Sequence, residues 1–472
     1  MAGAGALSGR QASLPTSLPI RTRRSVMAGA ATGMMGLLAS CAGPAATGGE
    51  APAAQSKAPV TIRWSTWGDA NNPFNSAGIP RGMPIFNLQF PHIKVLPEIQ
   101  EGASTIWGPK LSTSWLGGDG VDITGHCCDV SLDFSRQGFL LNLDPYLKRD
   151  AKAVPTQDYV EWLMKLFNSP QNGQFALPMY TGTIALMFDR KRFQEKGLPL
   201  PDENWDWNKY REVALKLADP AAKKWARADV GPSSMYRRFF QNGTSAVDPK
   251  DDTKATFNTP QAIEAMEFEK AGMHKDRSVV QVAGPLAPPE TAPASQTQFV
   301  QINSGHISMW EGGAFTLTRY VSMLTDDIDW DVVSLPKGPT ARVTLATNDG
   351  WSIWKDSKAK DATWELLKFL QSDEWTDIAT RTAGQQSARK SHQQQWVKAF
   401  AETNPKLAGK ALKWCADAIE KNYARPIEFW RKDADSKKIF NDAYNKSVRD
   451  GEEEVGAAMR AAAEQINQVN KV

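Results

Sequence analysis

From Val60 to Trp67 the chain reads VTIRWSTW, apolar and polar positions alternating with the period of a half-buried strand. The breaker-rich GDANNPFNSAGIPRGMP after it predicts a turn region, and IKVLPEI a short second strand. IWGPKLSTSWLGGDGVDITG then reads as helix, glycine turn and strand, and GFLLNLDPYL as a short apolar element ended by Pro145. Strand and helix alternate here, which predicts a three-layer α/β lobe around a largely parallel sheet. A strand is expected at TIALMFD, with helices at DRKRFQEKG, WNKYREVALKLADP and TPQAIEAMEFEKAGMH. The Pro/Ala-rich run from Val282 to Ser295 predicts an exposed loop, and GHISMWEGGAF, WDVVSLPKGP and TNDGWSIWKDS supply three more strands. Helices resume with DATWELLKFLQSDEWTDIATRTAG. In the final EEEVGAAMRAAAEQINQVN, Val455, Met459, Ala462 and Ile466 share one face behind three glutamates in the positive first turn. No internal repeat is visible.

At 472 residues, 41% hydrophobic and 23% charged, the chain can bury a large core divided into two or more units. Its formal charge of +3 is carried by the first residues: setting aside Arg10, Arg21, Arg23 and Arg24 leaves −1. A nearly neutral chain without a Lys/Arg stripe has no electrostatic case for nucleic acid. The basic RTRRSVM, the weakly apolar stretch from Val26 to Ser40 and the LASC after it have the order of an export leader, and the apolar part, about 15 residues, falls short of the roughly 20 that span a bilayer. Thr22, Arg23, Arg24 and Val26 resemble a twin-arginine signal, and Leu38 to Cys41 resembles a bacterial lipobox, which implies cleavage before Cys41 and a diacylglycerol on its sulfur. The Ala/Gly/Pro-rich residues after Cys41 read as a flexible tether. Cys127, Cys128 and Cys415 do not make a disulfide framework. His126 to Asp129, HCCD, contains metal-ligating types, but neighbours on a strand point to opposite faces, so the cysteines are read as small buried side chains and no metal is expected.

The P-loop, HExxH, G-x-S-x-G and dinucleotide patterns are absent from the sequence, and no cofactor is expected. What stands out is a set of strand ends that pair an aromatic with a carboxylate and glycines: Trp67 with Asp69, Trp310 with Glu311, and Asp349 with Trp351. An indole can stack on the C–H face of a sugar while a carboxylate accepts bonds from its hydroxyls. Each of these tryptophans, taken alone, suits the core equally well. Trp64, Trp115, Trp162, Trp364, Trp375 and Trp414 read as core.

Taken in order, VTIRWSTWGD, KLSTSWLGGDGVDI, SRQGFLLNLDPYL, LPMYTGTIALMFDRKRFQEKGLPLPDENWDW, INSGHISMWEGGAF, DVVSLPKGP, GWSIWKDSKAKDATWELLKFLQSDE and PIEFW resemble the extracellular solute-binding proteins of ABC importers. The likeness is to the sugar-binding group that includes maltose-binding protein, and it runs from Val60 to Asn470. It implies a two-lobed α/β fold with hinge crossings: lobe 1 over 59–178, lobe 2 over 179–328, a return to lobe 1 over 329–375, and C-terminal helices over 376–472, mostly of lobe 2, after a leader at 1–40 and a tether at 41–58. Carried over by position, the cleft would hold Trp67, Asp69, Asp129, Tyr180, Trp310, Glu311, Gly350, Trp351 and Trp430. The implied molecule is a monomer, lipid-anchored through Cys41 on the outer face of a bacterial cytoplasmic membrane, that hands a sugar to a permease and catalyses nothing. Two rivals remain at this stage: a secreted carbohydrate hydrolase using two of Asp69, Asp129, Glu311 and Asp349, and a receptor of the same fold for a cationic solute such as a polyamine.

Overall fold

Alternation does make Val60–Trp67 a strand, β1, with Ile62 and Trp64 fully buried. In the computed structural model it pairs in parallel with β2 (Ile93–Gln100) on one side and β3 (Ile123–His126) on the other. Pro97 is tolerated because β2 is the outermost strand, where the missing N–H interrupts no ladder. After a small hairpin of β4 (Asn168–Ser169) and β5 (Gly173–Gln174) comes β6 (Leu177–Tyr180), the far edge of this first sheet. The chain then enters a second sheet with β7 (Ile184–Asp189) and adds β8 (Trp225–Ala228). A hairpin of β9 (Val247–Asp248) and β10 (Asp251–Ala255) stands outside it, before β11 (Val279–Val280), β12 (Ile307–Gly313) and β13 (Trp330–Val333). Its strand order is β11-β8-β12-β7-β13. Finally β14 (Thr344–Ala346) leads to β15 (Asp349–Ile353), which completes the first sheet as β2-β1-β3-β15-β6, and β16 (Ala424–Pro426) pairs with β14. The described residues are 58–68, 70, 72–101, 104–126, 130–281 and 297–471. The leader, Cys41, Asp69, Cys127, Cys128, Asp129 and the loop expected over 282–295 lie outside them.

Each sheet holds one strand that runs against the others: β7 is antiparallel to β12 and β13, and β15 to β3 and β6. Both are the strands by which the chain enters a lobe from the other. A chain arriving at the edge where parallel strands end can only run the opposite way into the sheet. The two carboxyl edges, and the crossings, therefore share one location. The crossings fall at 181–183 and 347–348. The return expected from residue 329 is thus corrected: β13 still belongs to the second sheet, paired with β7 from Trp330 beside Asp189 to Val333 beside Leu186.

Indoles fill the first lobe. Trp64 lies edge-on to Trp351 at 5.5 Å and to Trp375 at 6.0 Å, while Gly125 leaves room for Trp351, whose Cζ3 would lie 2.5 Å from an added Cβ. In the second lobe, Trp430 packs among Tyr236, Phe257 and Phe440 with centroids 6.0 to 6.2 Å away. The last helix, Val455–Val469, buries Val455, Met459, Ala462 and Ile466, and Glu454 caps it by accepting from the Gly456 and Ala457 N–H groups. No helix of the described residues is long and apolar enough to cross a membrane. Because Trp351 is fully buried, Trp351→Ala should cost the solute-free protein about 3–5 kcal/mol. Urea denaturation measures this, and a loss below about 1 kcal/mol would contradict its place in the core.

Candidate functional site

At the end of β1, Gly68 adopts a φ of +104°, and an added Cβ would lie 2.7 Å from the Asn72 amide nitrogen, so only glycine fits this turn. The Asn72 side-chain oxygen accepts from the Phe74 N–H at 3.0 Å, and Asn75 donates to the Trp67 carbonyl at 3.2 Å. The turn thereby fixes Trp67 at the carboxyl edge of the first sheet. Its ring lies almost parallel to Trp107 (6.4 Å, 8°) and tilted against Tyr180 at the end of β6 (6.5 Å, 34°). Trp67 and Tyr180 form one wall, with the buried Trp107 packed against Trp67.

The other wall comes from the residues after β12. At Gly313 an added Cβ would meet the Phe315 ring at 2.1 Å, and at Gly182, in the first crossing, at 2.5 Å. Phe315 is seated on these two glycines, yet 44% of it is exposed. The short helix Leu317–Met323 follows and carries Thr318 and Arg319, whose guanidinium lies 5.3 Å over Phe299. Between the walls is a cavity of about 200 Å³ lined by Trp67, Asn72, Tyr180, Phe315, Arg319 and Gln385, among others. No carboxylate lines it among the described residues.

The cavity floor is tied by Gln386, which is buried with both ends of its amide engaged. Its oxygen accepts from the Thr183 N–H at 3.0 Å and the Thr183 hydroxyl at 3.1 Å; its nitrogen donates to Gln393 at 2.9 Å and to the Cys415 carbonyl at 3.0 Å. The Thr181 N–H donates to the Gln386 carbonyl at 2.9 Å, and the Thr181 hydroxyl reaches the Thr347 carbonyl of the second crossing at 3.1 Å.

Of the side chains expected in the cleft, Trp67 and Tyr180 line this cavity, whereas Gly350, Trp351, Trp310 and Trp430 do not. Trp351 and Trp430 are fully buried in the cores of their lobes, and Trp310 is 1% exposed against Tyr320. Gly350 lies under Phe167 and His126, where an added Cβ would sit 2.8 and 2.9 Å from them. Glu311 is spent on ion pairs with Arg237 and Arg238. Asp69 and Asp129 lie outside the described residues. His126, the first residue of HCCD, is buried against the Ser352 hydroxyl at 2.7 Å, and burial lowers its pKa to about 3. What the sequence reading missed is Phe315, the last letter of GHISMWEGGAF, together with Asn72, Arg319 and Gln385. The Gly312-Gly313 pair before Phe315 was the available signal.

Asp349, beside the second crossing, is buried and burial raises its pKa to about 7, with the Thr347 hydroxyl partly offsetting this. The unfolded chain releases this proton near pH 4, while the folded one holds it to about 7. Stability contributed by the protonated folded form is therefore whole below pH 4 and lost as pH rises toward 7. Asp349→Asn should be more stable than the native chain at pH 8, by up to about 4 kcal/mol, and the difference should shrink toward pH 4. Denaturant midpoints at the two pH values check it; a difference independent of pH would show that Asp349 does not titrate there.

A family model described as bacterial extracellular solute-binding protein matches residues 64–377. Over 284 residues the chain is 25% identical to a Brucella abortus protein named as a binding protein; the match covers 58% of this chain and 64% of that one, so the chain spans about 64% of the length of the curated relatives it first matches. It is 29% identical over 175 residues to an uncharacterized lipoprotein of Streptomyces antibioticus, covering 36% of this chain and 37% of the relative. Among solved structures, an ABC substrate-binding protein of Listeria monocytogenes in complex with cycloalternan superposes with a TM-score of 0.72 at 18% identity, over 87% of this chain and 99% of that one.

Proposed function

Since the chain belongs to the bacterial extracellular solute-binding proteins, we propose that it is a lipid-anchored receptor of an ABC importer that captures a sugar or oligosaccharide between its lobes and delivers it to a permease. The observation that carries the reading is the facing pair of walls, Trp67 with Tyr180 on one lobe and the exposed Phe315 on the other, around a cavity whose described lining adds amides, hydroxyls and Arg319. Aromatic faces stack on the C–H faces of a pyranose, and the polar groups bond its hydroxyls. Asp69, two residues beyond Trp67, is proposed as a further acceptor for those hydroxyls. The oligosaccharide held by the Listeria neighbour is in keeping with this substrate class.

Closure follows if the solute binds the closed arrangement better than the open one, which contacts from both walls provide. The lipobox-like LASC and the lipoprotein relative support anchoring through Cys41. ATP hydrolysis belongs to a separate subunit in this scheme. A cationic solute is disfavoured electrostatically, because Glu311 is already neutralised by arginines and burial favours the protonated form of Asp349.

A thermal-shift screen over mono- and oligosaccharides, with polyamines alongside, tests the reading. A ligand at 100 times its Kd should add about 2.7 kcal/mol to stability. Phe315→Ala should weaken sugar binding about tenfold or more while leaving the solute-free protein nearly as stable, since Phe315 is half exposed. Breakdown of labelled oligosaccharides, or a response confined to polyamines, would overturn it.

A further inference from the structure

Away from the crossings, the lobes also meet through side chains at Arg136. This arginine ends the helix Val130–Arg136, which the buried Val130 and Phe134 fix to the core of the first lobe. Asn172 holds the same helix by donating to the Ser135 carbonyl at 2.6 Å and hydroxyl at 2.9 Å. Arg136 Nη2 donates to Asp252 Oδ2 at 2.9 Å, and its Nη1 donates to the Arg431 carbonyl at 3.0 Å. Both partners belong to the second lobe. Asp252 lies in β10, whose Ala255 is buried in that lobe's core, and Arg431 follows Trp430, which is buried in the same core. The two are bound to each other as well: the Arg431 N–H donates to the Asp252 carbonyl at 2.8 Å, and its Nη2 and Nε reach Asp252 Oδ1 at 2.9 and 3.2 Å. Glu428, three residues before Arg431, accepts from the Ala246 N–H at 2.7 Å, so the β9–β10 hairpin and this loop form one piece of the second lobe. Asp252 therefore gives one carboxylate oxygen to its own lobe and presents the other to the first. The Arg136 and Asp252 side chains are 34% and 36% exposed, which sets the pair within reach of salt and limits it to about fivefold in an equilibrium constant.

We propose that Arg136 and Asp252 form a latch that holds the lobes in the arrangement seen here, with both walls on the cavity, and that lets go when the lobes part. Each residue is fixed to its own lobe, so neither can follow the other. A charge-assisted hydrogen bond is lost once donor and acceptor separate beyond about 3.5 Å. Asp133, one turn back on the helix and 3.6 Å from Arg136, is the partner then left to the arginine within its own lobe. A receptor binds with its intrinsic affinity reduced by the fraction of molecules in the competent arrangement. The latch raises that fraction and so strengthens the binding of a solute it never touches. Salt screens the pair, which makes the affinity for an uncharged solute depend on ionic strength although the solute carries no charge. The inference rests on the receptor reading for this effect on affinity alone.

The test is single-molecule energy transfer in the solute-free full chain, between dyes carried at positions 110 and 438, an exposed lysine on each lobe. Arg136→Gln should move the balance toward the longer distance by about two- to fivefold, and Arg136→Lys, which keeps the charge, should recover part of the loss. Asp252→Asn should act in the same direction, and adding it to Arg136→Gln should change little more, because the pair is already broken. Raising sodium chloride from about 0.05 to about 0.5 M should shift the native chain and leave Arg136→Gln almost unmoved. The recovery in Arg136→Lys and the salt response of the native chain are results that misfolding of a variant does not imitate. Equal distance distributions in the native chain and Arg136→Gln at low salt, or a salt response of the same size in both, overturn the latch. A neutral sugar found by the thermal-shift screen should bind Arg136→Gln up to about fivefold more weakly, and equal binding also overturns it. If the distances respond as stated and no sugar binds, the receptor reading fails and the latch stands. If a sugar binds and the distances do not respond, the latch fails and the receptor stands.

Discussion

Everything at the centre of the molecule depends on how two sheets can share one chain. The connecting segments leave and enter at the carboxyl edges of parallel strands, so their backbone groups cannot all be satisfied by sheet ladders. Gln386 supplies what is missing. A glutamine amide offers two acceptor and two donor positions, and here all four are used: the oxygen takes the Thr183 N–H and hydroxyl, and the nitrogen gives to Gln393 and to the Cys415 carbonyl. A residue of another type would leave several buried partners unsatisfied at once, each at about 1–3 kcal/mol. The antiparallel entry of β7 and β15, the nearness of Trp67 to Phe315, and the floor of the cavity all follow from this junction.

The junction also explains the division of labour among aromatic side chains. Strands covered by helices on both faces bury nearly every residue along their length, so Trp310 and Trp351 serve the cores, and Trp430, in the loop after β16, is buried among the aromatic rings of the second lobe. Three of the aromatics that meet the cavity stand where a strand has just ended, Trp67 before the Gly68 turn, Tyr180 before the first crossing and Phe315 after the glycine pair, while Phe74 comes from the helical turn after β1. Charge is distributed in a similar way. The cavity between the lobes presents no described carboxylate, while of the acidic groups expected there Glu311 is matched to arginines and burial shifts Asp349 toward its protonated form.

Much of the fold was legible because its strongest elements obey simple periods. VTIRWSTW became β1 with its bounds intact, and the last helix buries the four residues its spacing selected. Short strands escaped: β11 has two residues and β8, WARA, places a buried arginine where a strand pattern calls for an apolar one. The error at Trp310 has the same origin as the success at β1. Alternation distinguishes inside from outside only where one face is wet, and β12 has no wet face: six of its seven residues are buried and Glu311 is intermediate. The arginines that hold Glu311 were unreadable for another reason. MYRRFF resembles an ordinary amphipathic turn, and its partners Glu269 and Glu311 lie far along the chain, brought to it only by tertiary folding.

Phe315 rests on Gly182, and Gly182 is part of the axle on which one lobe would swing. In a rotation, displacement grows with the lever arm. A side chain seated at the pivot barely travels, whereas groups toward the rims sweep through several ångströms. In the receptor proposed above, Phe315 and Tyr180 would meet a ring before the lobes swing as well as after, and the preference for the closed arrangement would come from wall groups farther from the pivot. Selectivity then falls to groups with a longer arm, which meet the solute only at the end of the stroke.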